Sequence, residues 1–325
     1  MLFNKGNANY WYVNTKTGDN LIFYAVTSII IISKQTKGAR AVEDGKLNVQ
    51  WFPGHMAKTR RQIKESLPLV DAVVEIADAR VPQSSRNPEL GELIGDKPLI
   101  LILNKCDLAD ENATRRKISE LGKQGIAAIA VDCRSGRGLN AFAPTVKKVL
   151  KEKIEANVKK GMAGKPLRLM VVGIPNTGKS SFINRMAGKN KAKVADKPGV
   201  TRQNQWFNIG SGIELLDTPG VLWPKFDDPD VGLRLAFIGS VKDTILDIEL
   251  IAARFLTVMN ENYPDRLKER YKLEFPSDCE EFERLEMLAK KRGMLISGGE
   301  PDTERAAVML LDEYRAGKLG RITLE

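Results

Sequence analysis

Along the chain the apolar positions follow two different periods. Six short runs are either densely apolar, as in strands buried on both faces, or alternate with period two: residues 73–77 (VVEIA), 99–103 (LILIL), 126–131 (IAAIAV), 168–172 (RLMVV), 205–209 (QWFNI) and 213–216 (IELL). A lysine-rich helical pattern followed by KKGMAGKP joins the third run to the fourth, over residues 140–166. From about Pro224 the period becomes helical. Residues 248–259 follow Asp247 as a cap, residues 279–292 carry acidic side chains early and Lys-Lys-Arg late, as the helix dipole favours, and residues 303–316 form a third segment. The pattern predicts an α/β sheet domain followed by a small all-α domain.

Chemistry sits at the ends of the predicted strands. After the fourth run, Gly173 to Ser180 reads G-x-x-x-x-G-K-S and an amphipathic segment follows, which is the strand, loop and helix context of a phosphate-gripping loop. Backbone N–H groups of Asn176, Thr177, Gly178, Lys179, Ser180 and Ser181 would cradle phosphates, Lys179 would reach the outer ones, and the Ser180 hydroxyl would ligate Mg²⁺. After the second run comes Asn104-Lys105-Cys106-Asp107. The Asp107 carboxylate can accept from guanine N1–H and its exocyclic amine, a pair of donors that adenine lacks, while Asn104 braces the loop and the Lys105 stem covers the base. A second base loop is expected at residues 131–139, with Asp132 and Cys133 nearest the guanine. After the sixth run, Asp217-Thr-Pro-Gly220 places Asp217 to hold Mg²⁺ through water and the Gly220 N–H to sense a γ-phosphate; Thr201 in DKPGVTR is the expected mobile Mg²⁺ ligand. These motifs predict binding of GTP and GDP with Mg²⁺.

A guanine-nucleotide domain ordinarily begins with its phosphate loop and ends with its base loops. Here the base loops come first, so in the ordinary numbering the strands run 4-5-6-1-2-3. The domain is a circularly permuted P-loop GTPase fold, which the closeness of termini in compact domains permits.

The stretches VQWFPGHMAKTRRQI (49–63), DARVPQSSRNP (78–88), NKCD, GIPNTGKSS, KPGVTR, DTPGVLWPK (217–225) and GKLGRITLE (317–325) together resemble the circularly permuted GTPases of ribosome assembly, closest to the bacterial ribosome biogenesis GTPase A family. The resemblance spans residues 49–325. It implies a monomeric GTP-hydrolysing factor that binds a maturing large (50S) ribosomal subunit late in its assembly, is stimulated by that particle, and meets rRNA and ribosomal proteins. Asp132 and Cys133 stand where the family carries a Ser-Ala type pattern. Domain limits of 47–223 for the GTPase part and 224–325 for the helical part follow. Residues 1–46 lie outside the resemblance and read as an extraneous or disordered N-terminal extension; their apolar run, residues 21–32, is too short to span a bilayer, and no membrane partner is expected.

Charge adds the kind of partner. The formal net charge is +10, made of +15 over residues 1–224 and −5 over residues 225–325. Basic clusters follow the permutation joint (Lys147, Lys148, Lys151, Lys153, Lys159, Lys160, Lys165, Arg168), the Thr201 segment (Arg185, Lys189, Lys191, Lys193, Lys197, Arg202) and the N-terminal motif (Lys58, Arg60, Arg61, Lys64), a distribution suited to RNA phosphates. A narrow stripe on the helical part, Lys290, Lys291, Arg292, Arg315, Lys318 and Arg321, offers a further contact. Cys106, Cys133 and Cys279 share no metal-like spacing, which points to a reducing, cytoplasmic setting.

Catalysis is the open part of the reading. Val221 and Leu222 follow Asp-x-x-Gly where a Ras-like enzyme carries its water-orienting glutamine. His55, the single histidine of the chain, is a candidate for that task, with a structural imidazole near Trp51 and Phe52 as the competing reading. The place of Asn176 resembles that of an asparagine in potassium-dependent GTPases, making it a candidate K⁺ ligand. Two other functions remain compatible with the sequence: an RNA- or ribosomal-protein-binding placeholder with GTP as a structural ligand, and a small-subunit permuted GTPase.

Overall fold

The structure is a computed structural model, and residues 53–188, 205–218, 228–241 and 247–325 are described, with side chains from Arg60 onward. The chain divides into two compact units, Met1–Lys46 and Leu47–Glu325.

Six strands form one sheet: β1 (Ala72–Asp78), β2 (Leu99–Asn104), β3 (Ala127–Ala130), β4 (Leu167–Gly173), β5 (Gln205–Asn208) and β6 (Ile213–Asp217). Their order across the sheet is β3-β2-β1-β4-β6-β5, all parallel except β5, which runs antiparallel to β6. This arrangement across the sheet is consistent with the permuted chain order expected from the sequence. β1 and β2 are nearly continuous apolar runs because both of their faces are covered. Val74 and Ile76 face a core shared with Ile100, Ile102, Leu169 and Val171 and with the helices α4 (Phe142–Val149) and α6 (Lys179–Met186). Val73 faces the other side, with Met170, Val172 and Leu216, against α1 (Pro53–Ser66) and α2 (Leu90–Ile94). Leu101 and Leu103 pack on that side near α3 (Glu111–Lys123) through Leu121.

The lysine-rich joint is two helices, α4 and α5 (Lys151–Lys159), with Leu150 between them. Five further helices are α7 (Pro229–Phe237), α8 (Ile248–Asn262), α9 (Pro264–Tyr271), α10 (Glu281–Lys291) and α11 (Thr303–Arg315). The Asp247 carboxylate caps α8 by accepting from Leu250 N–H at 3.0 Å, as the sequence implies. α7 and α9 escape the sequence pattern because they are short; each opens on a proline, whose fixed φ suits the first helical turn. The core of these helices includes Phe237, Phe255 and Tyr314, and also Val81 after β1 and Ile174 after β4. The expected division at residues 223 and 224 lies outside the described residues.

One expectation about charge needs correction. Arg315 is not part of an exposed basic stripe: its guanidinium turns inward and donates to the carbonyls of Phe237 (3.0 Å) and Ala236 (2.8 Å), which end α7. Arg292 and Lys318 converge on Glu313, at 4.0 and 3.9 Å, a carboxylate already held in two hydrogen bonds by Arg270. No described helix is long and apolar enough to cross a membrane.

Candidate active site

In an open parallel sheet, ligands bind beyond the carboxyl ends of the strands, where the strand order reverses direction. Here that point lies between the adjacent strands β1 and β4. The loops after β1, β2, β3, β4 and β6 all leave the sheet at that end, and they carry the motifs singled out in the sequence.

The phosphate loop leaves β4 and enters α6 at Lys179. Gly178, with φ of +91°, is required twice over: by its left-handed backbone and by the Asn104 carboxamide, which occupies the place where a Cβ would stand. Thr177 is fully buried, and its hydroxyl donates to Ile174 O at 3.0 Å, closing the turn. Lys179 and Asp217 are both buried, and Lys179 Nζ stands 2.6 Å from Asp217 Oδ1. The carboxylate at the end of β6 thus shares the mouth of the phosphate loop with the lysine. Thr218, next in the chain, donates to Val171 O at 2.7 Å and fixes the exit of β6 against β4. Ser180 and Ser181 lie in the first turn of α6.

The base loops are tied to this loop by named side chains. Asn104 donates from Nδ2 to Thr177 O (2.7 Å) and accepts at Oδ1 from Cys133 N–H (3.3 Å), so one carboxamide joins the ends of β2, β3 and β4. Lys105, with φ of +59°, donates to Asn176 O at 2.7 Å and forms an ion pair with Asp78 at 2.9 Å. Left-handed backbone at a lysine is uncommon, and such conformations concentrate at functional sites. Asp107 pairs with Arg134 at 3.5 Å. The Asp132 carboxylate accepts from Arg134 N–H (2.8 Å) and Ser135 N–H (3.2 Å), so it is occupied in shaping its own loop. Burial would raise the Asp132 pKa, but these donors hold it below the usual carboxylate range. The Cys133 thiol is pushed up to about 12, first by burial and then by Asp132, which makes it a neutral packing group. Arg185 of α6 reaches Ser135 O at 2.9 Å and fastens the last base loop to the phosphate-loop helix.

Beneath the base loop lies a network that reasoning from the sequence missed. Asp78, at the end of β1, receives Arg80 Nε (2.9 Å) and Nη2 (2.8 Å) as well as Lys105, and Arg80 stacks over the Tyr314 ring at 5.1 Å. Asp78 and Arg80 are almost wholly buried. Burial alone would raise the Asp78 pKa, but Arg80 and then Lys105 outweigh it and hold the carboxyl well below its ordinary value. The available signal was the charge pair Asp-x-Arg directly after a buried strand, in a stretch used only for its resemblance. The other missed contacts are long range: Asn176 Nδ2 donates to Gly239 O at 2.6 Å, and the Ser240 hydroxyl donates to Pro175 O at 2.8 Å.

Of the expected residues, Asn104, Lys105, Asp107, Asp132, Cys133, Asn176, Thr177, Gly178, Lys179, Ser180, Ser181 and Asp217 lie at this one end of the sheet, on strand ends, the loops that follow them and the first turn of α6. Thr201, Gly220 and the His55 side chain lie outside the described residues; the backbone of His55 is in α1.

A family model described as 50S ribosome-binding GTPase matches residues 168–273. The chain is 48% identical to ribosome biogenesis GTPase A of Bacillus cereus over 278 residues, 85% of this chain and 93% of that protein. It is 34% identical to ribosome biogenesis GTPase A of Thermotoga maritima over 277 residues, covering 85% and 94% of the two chains. Among solved structures, GDP-bound TM YlqF matches with a TM-score of 0.58 and 31% identity, covering 82% of this chain and 98% of that one. GNP-bound YlqF from T. maritima matches with a TM-score of 0.57 and 30% identity, covering 82% and 97%. With the permuted sheet and its converging loops, these likenesses place the chain in the ribosome biogenesis GTPase A family: it belongs to that family and is a GTPase.

Proposed function

We propose that this GTPase binds a maturing large ribosomal subunit, hydrolyses GTP there and leaves. The observation that carries the reading is the Asn104 carboxamide, which bonds the phosphate loop and the last base loop at once and so makes one site able to grip a base and its phosphates together. Asp107 reads the guanine N1–H and amine, Lys105 covers the ring, Asp132 shapes the loop and Cys133 packs beneath it. Asn176 to Ser181 cradle the phosphates, with Lys179 on the outer ones. Ser180 and Asp217 are hard oxygen donors at the loop mouth, a set that fits Mg²⁺, and Thr201 would be a further donor. Bound there, Mg²⁺ neutralises charge developing on the phosphate oxygens.

The chain's own residues then set the hydrolysis step. Lys179 holds the γ-phosphate, the Gly220 N–H contacts it, and His55 orients the attacking water in place of the missing glutamine. Asn176 would be the residue to hold a K⁺ ion, which would supply further positive charge: its nitrogen is committed to Gly239, and its oxygen is the atom suited to a cation. The family description as 50S ribosome-binding and the basic joint helices support the large subunit and its rRNA as partner. Pelleting with purified large and small subunits and their precursors, in a non-hydrolysable GTP analogue and in GDP, tests this. Binding should favour the analogue and the large-subunit precursor and should fall steeply with salt; equal binding to small subunits would overturn it.

A further inference from the structure

The phosphate loop is held from the helical side as well as from the sheet. α7 ends at Phe237, and the chain turns back through Ile238, Gly239 and Ser240. Gly239, with φ of +73°, donates its N–H to Ala236 O at 3.0 Å, and Ser240 N–H donates to Leu235 O at 2.9 Å, the pattern of a helix closed by a left-handed glycine. Arg315 of α11 caps the same turn through the carbonyls of Phe237 and Ala236. So presented, the Gly239 carbonyl accepts from Asn176 Nδ2 at 2.6 Å, and the buried Ser240 hydroxyl donates to Pro175 O at 2.8 Å. Ile174, the preceding loop residue, is buried in the helical core. Three consecutive residues of the phosphate loop are therefore anchored to the helices. A carbonyl only accepts, so the bond from Asn176 also fixes which end of its carboxamide faces away from the bundle.

We propose that Gly239 and Ser240 are positioning residues for GTP hydrolysis: they set the backbone of Pro175 and the carboxamide of Asn176, so that the seating of α7 and α11 tunes the phosphate loop directly. The inference rests on the reading that residues 173–180 grip the phosphates of GTP. The N–H groups of Lys179, Ser180 and Ser181 belong to α6, and Gly178 is set by Asn104, so most of the phosphate cradle does not take its place from this turn. Disturbing the turn should therefore disturb reaction geometry more than nucleotide affinity, and a misplacement of about 1 Å costs about a hundredfold in rate.

The test uses the full chain with Ser240→Ala, which deletes the hydroxyl, and Gly239→Ala, whose Cβ would stand 3.2 Å from Arg315 Nε on a left-handed backbone. Single-turnover hydrolysis with enzyme in excess over GTP is measured per bound nucleotide, so that loss of folded protein does not enter, alongside the dissociation constant for a fluorescent GDP. Both variants should hydrolyse about tenfold more slowly while GDP affinity changes less than about threefold. An unchanged rate in both variants, or a loss of affinity as large as the loss of rate, would overturn the proposal. Lys179→Met separates the underlying reading. If it abolishes GTP binding while Ser240→Ala and Gly239→Ala react at the parent rate, positioning alone is wrong; if it binds GTP as tightly as the parent, the phosphate-loop reading fails with it.

Discussion

Asp107 is the residue on which base choice turns. Its carboxylate lies in the loop that Asn104 and Lys105 brace, and its pairing with the exposed Arg134 leaves it exchangeable toward a ligand. Asp107→Asn should weaken GTP by about 10²-fold or more and shift preference to xanthosine triphosphate, whose ring has a carbonyl where guanine has its amine. Competition binding with the two nucleotides checks this, and unchanged GTP affinity would sink the base assignment. Asp78 makes a different kind of prediction because it is buried and doubly paired. Asp78→Ala would leave Arg80 without its partner and should cost about 3–5 kcal/mol in urea unfolding. Its pH dependence follows from the sign of the shift. The folded pKa is below the unfolded value of about 3.9, so the Asp78 contribution is complete above pH ~4 and is lost as pH falls from there toward the folded value. The stability gap between parent and Asp78→Asn should therefore be constant from pH ~5 to 7 and narrow below pH ~4.

At the scale of elements, legibility tracked how local the determining forces are. β1 and β2 were plain because strands covered on both faces need unbroken apolar runs, and each end was set within a residue or two. α8 was plain because Asp247 caps it and its apolar positions repeat; Asp247→Ala should cost about 1 kcal/mol by the loss of that cap. Phe255 on α8 is fully buried between Phe237 and Tyr314, with ring centroids at 5.1 and 4.7 Å. Phe255→Ala should destabilise by about 3–5 kcal/mol in denaturant unfolding. The base and phosphate motifs were equally legible, since strand, loop and helix fix their geometry within a few residues. What was not legible joins distant parts of the chain: Asn176 to Gly239, Pro175 to Ser240 and Arg80 to Tyr314. Nothing in a turn such as Ile-Gly-Ser marks it as the seat of a phosphate loop, and Arg315 read as surface charge because its carbonyl partners belong to another helix.

For the whole molecule, the permuted order has a mechanical consequence. The helices follow β6 in chain order, and the tail after α11 returns to the loops after β1 and β2: Ile322 N–H bonds Leu108 O at 3.0 Å, Leu324 N–H bonds Arg80 O at 2.8 Å, and the Glu325 carboxylate receives Gln83 and Ser84 N–H at 2.6 and 2.9 Å. Helices fastened both to the phosphate loop and to the loop after β1 cannot move far without moving the site. A partner that seated on them with a preference for the GTP form would, by linkage, have its own binding strengthened by GTP. Without a glutamine after Asp-x-x-Gly, the isolated enzyme should be slow, and a particle that completes the site is worth about 10³ to 10⁵ in rate. The measurement that bears most directly on this account is multiple-turnover GTP hydrolysis by the full chain, alone and with purified large-subunit precursors, mature large subunits or small subunits. Slow turnover alone and a rise of about a hundredfold or more that is specific to large-subunit particles is the expected result; equal stimulation by small subunits, or none by any particle, would contradict it.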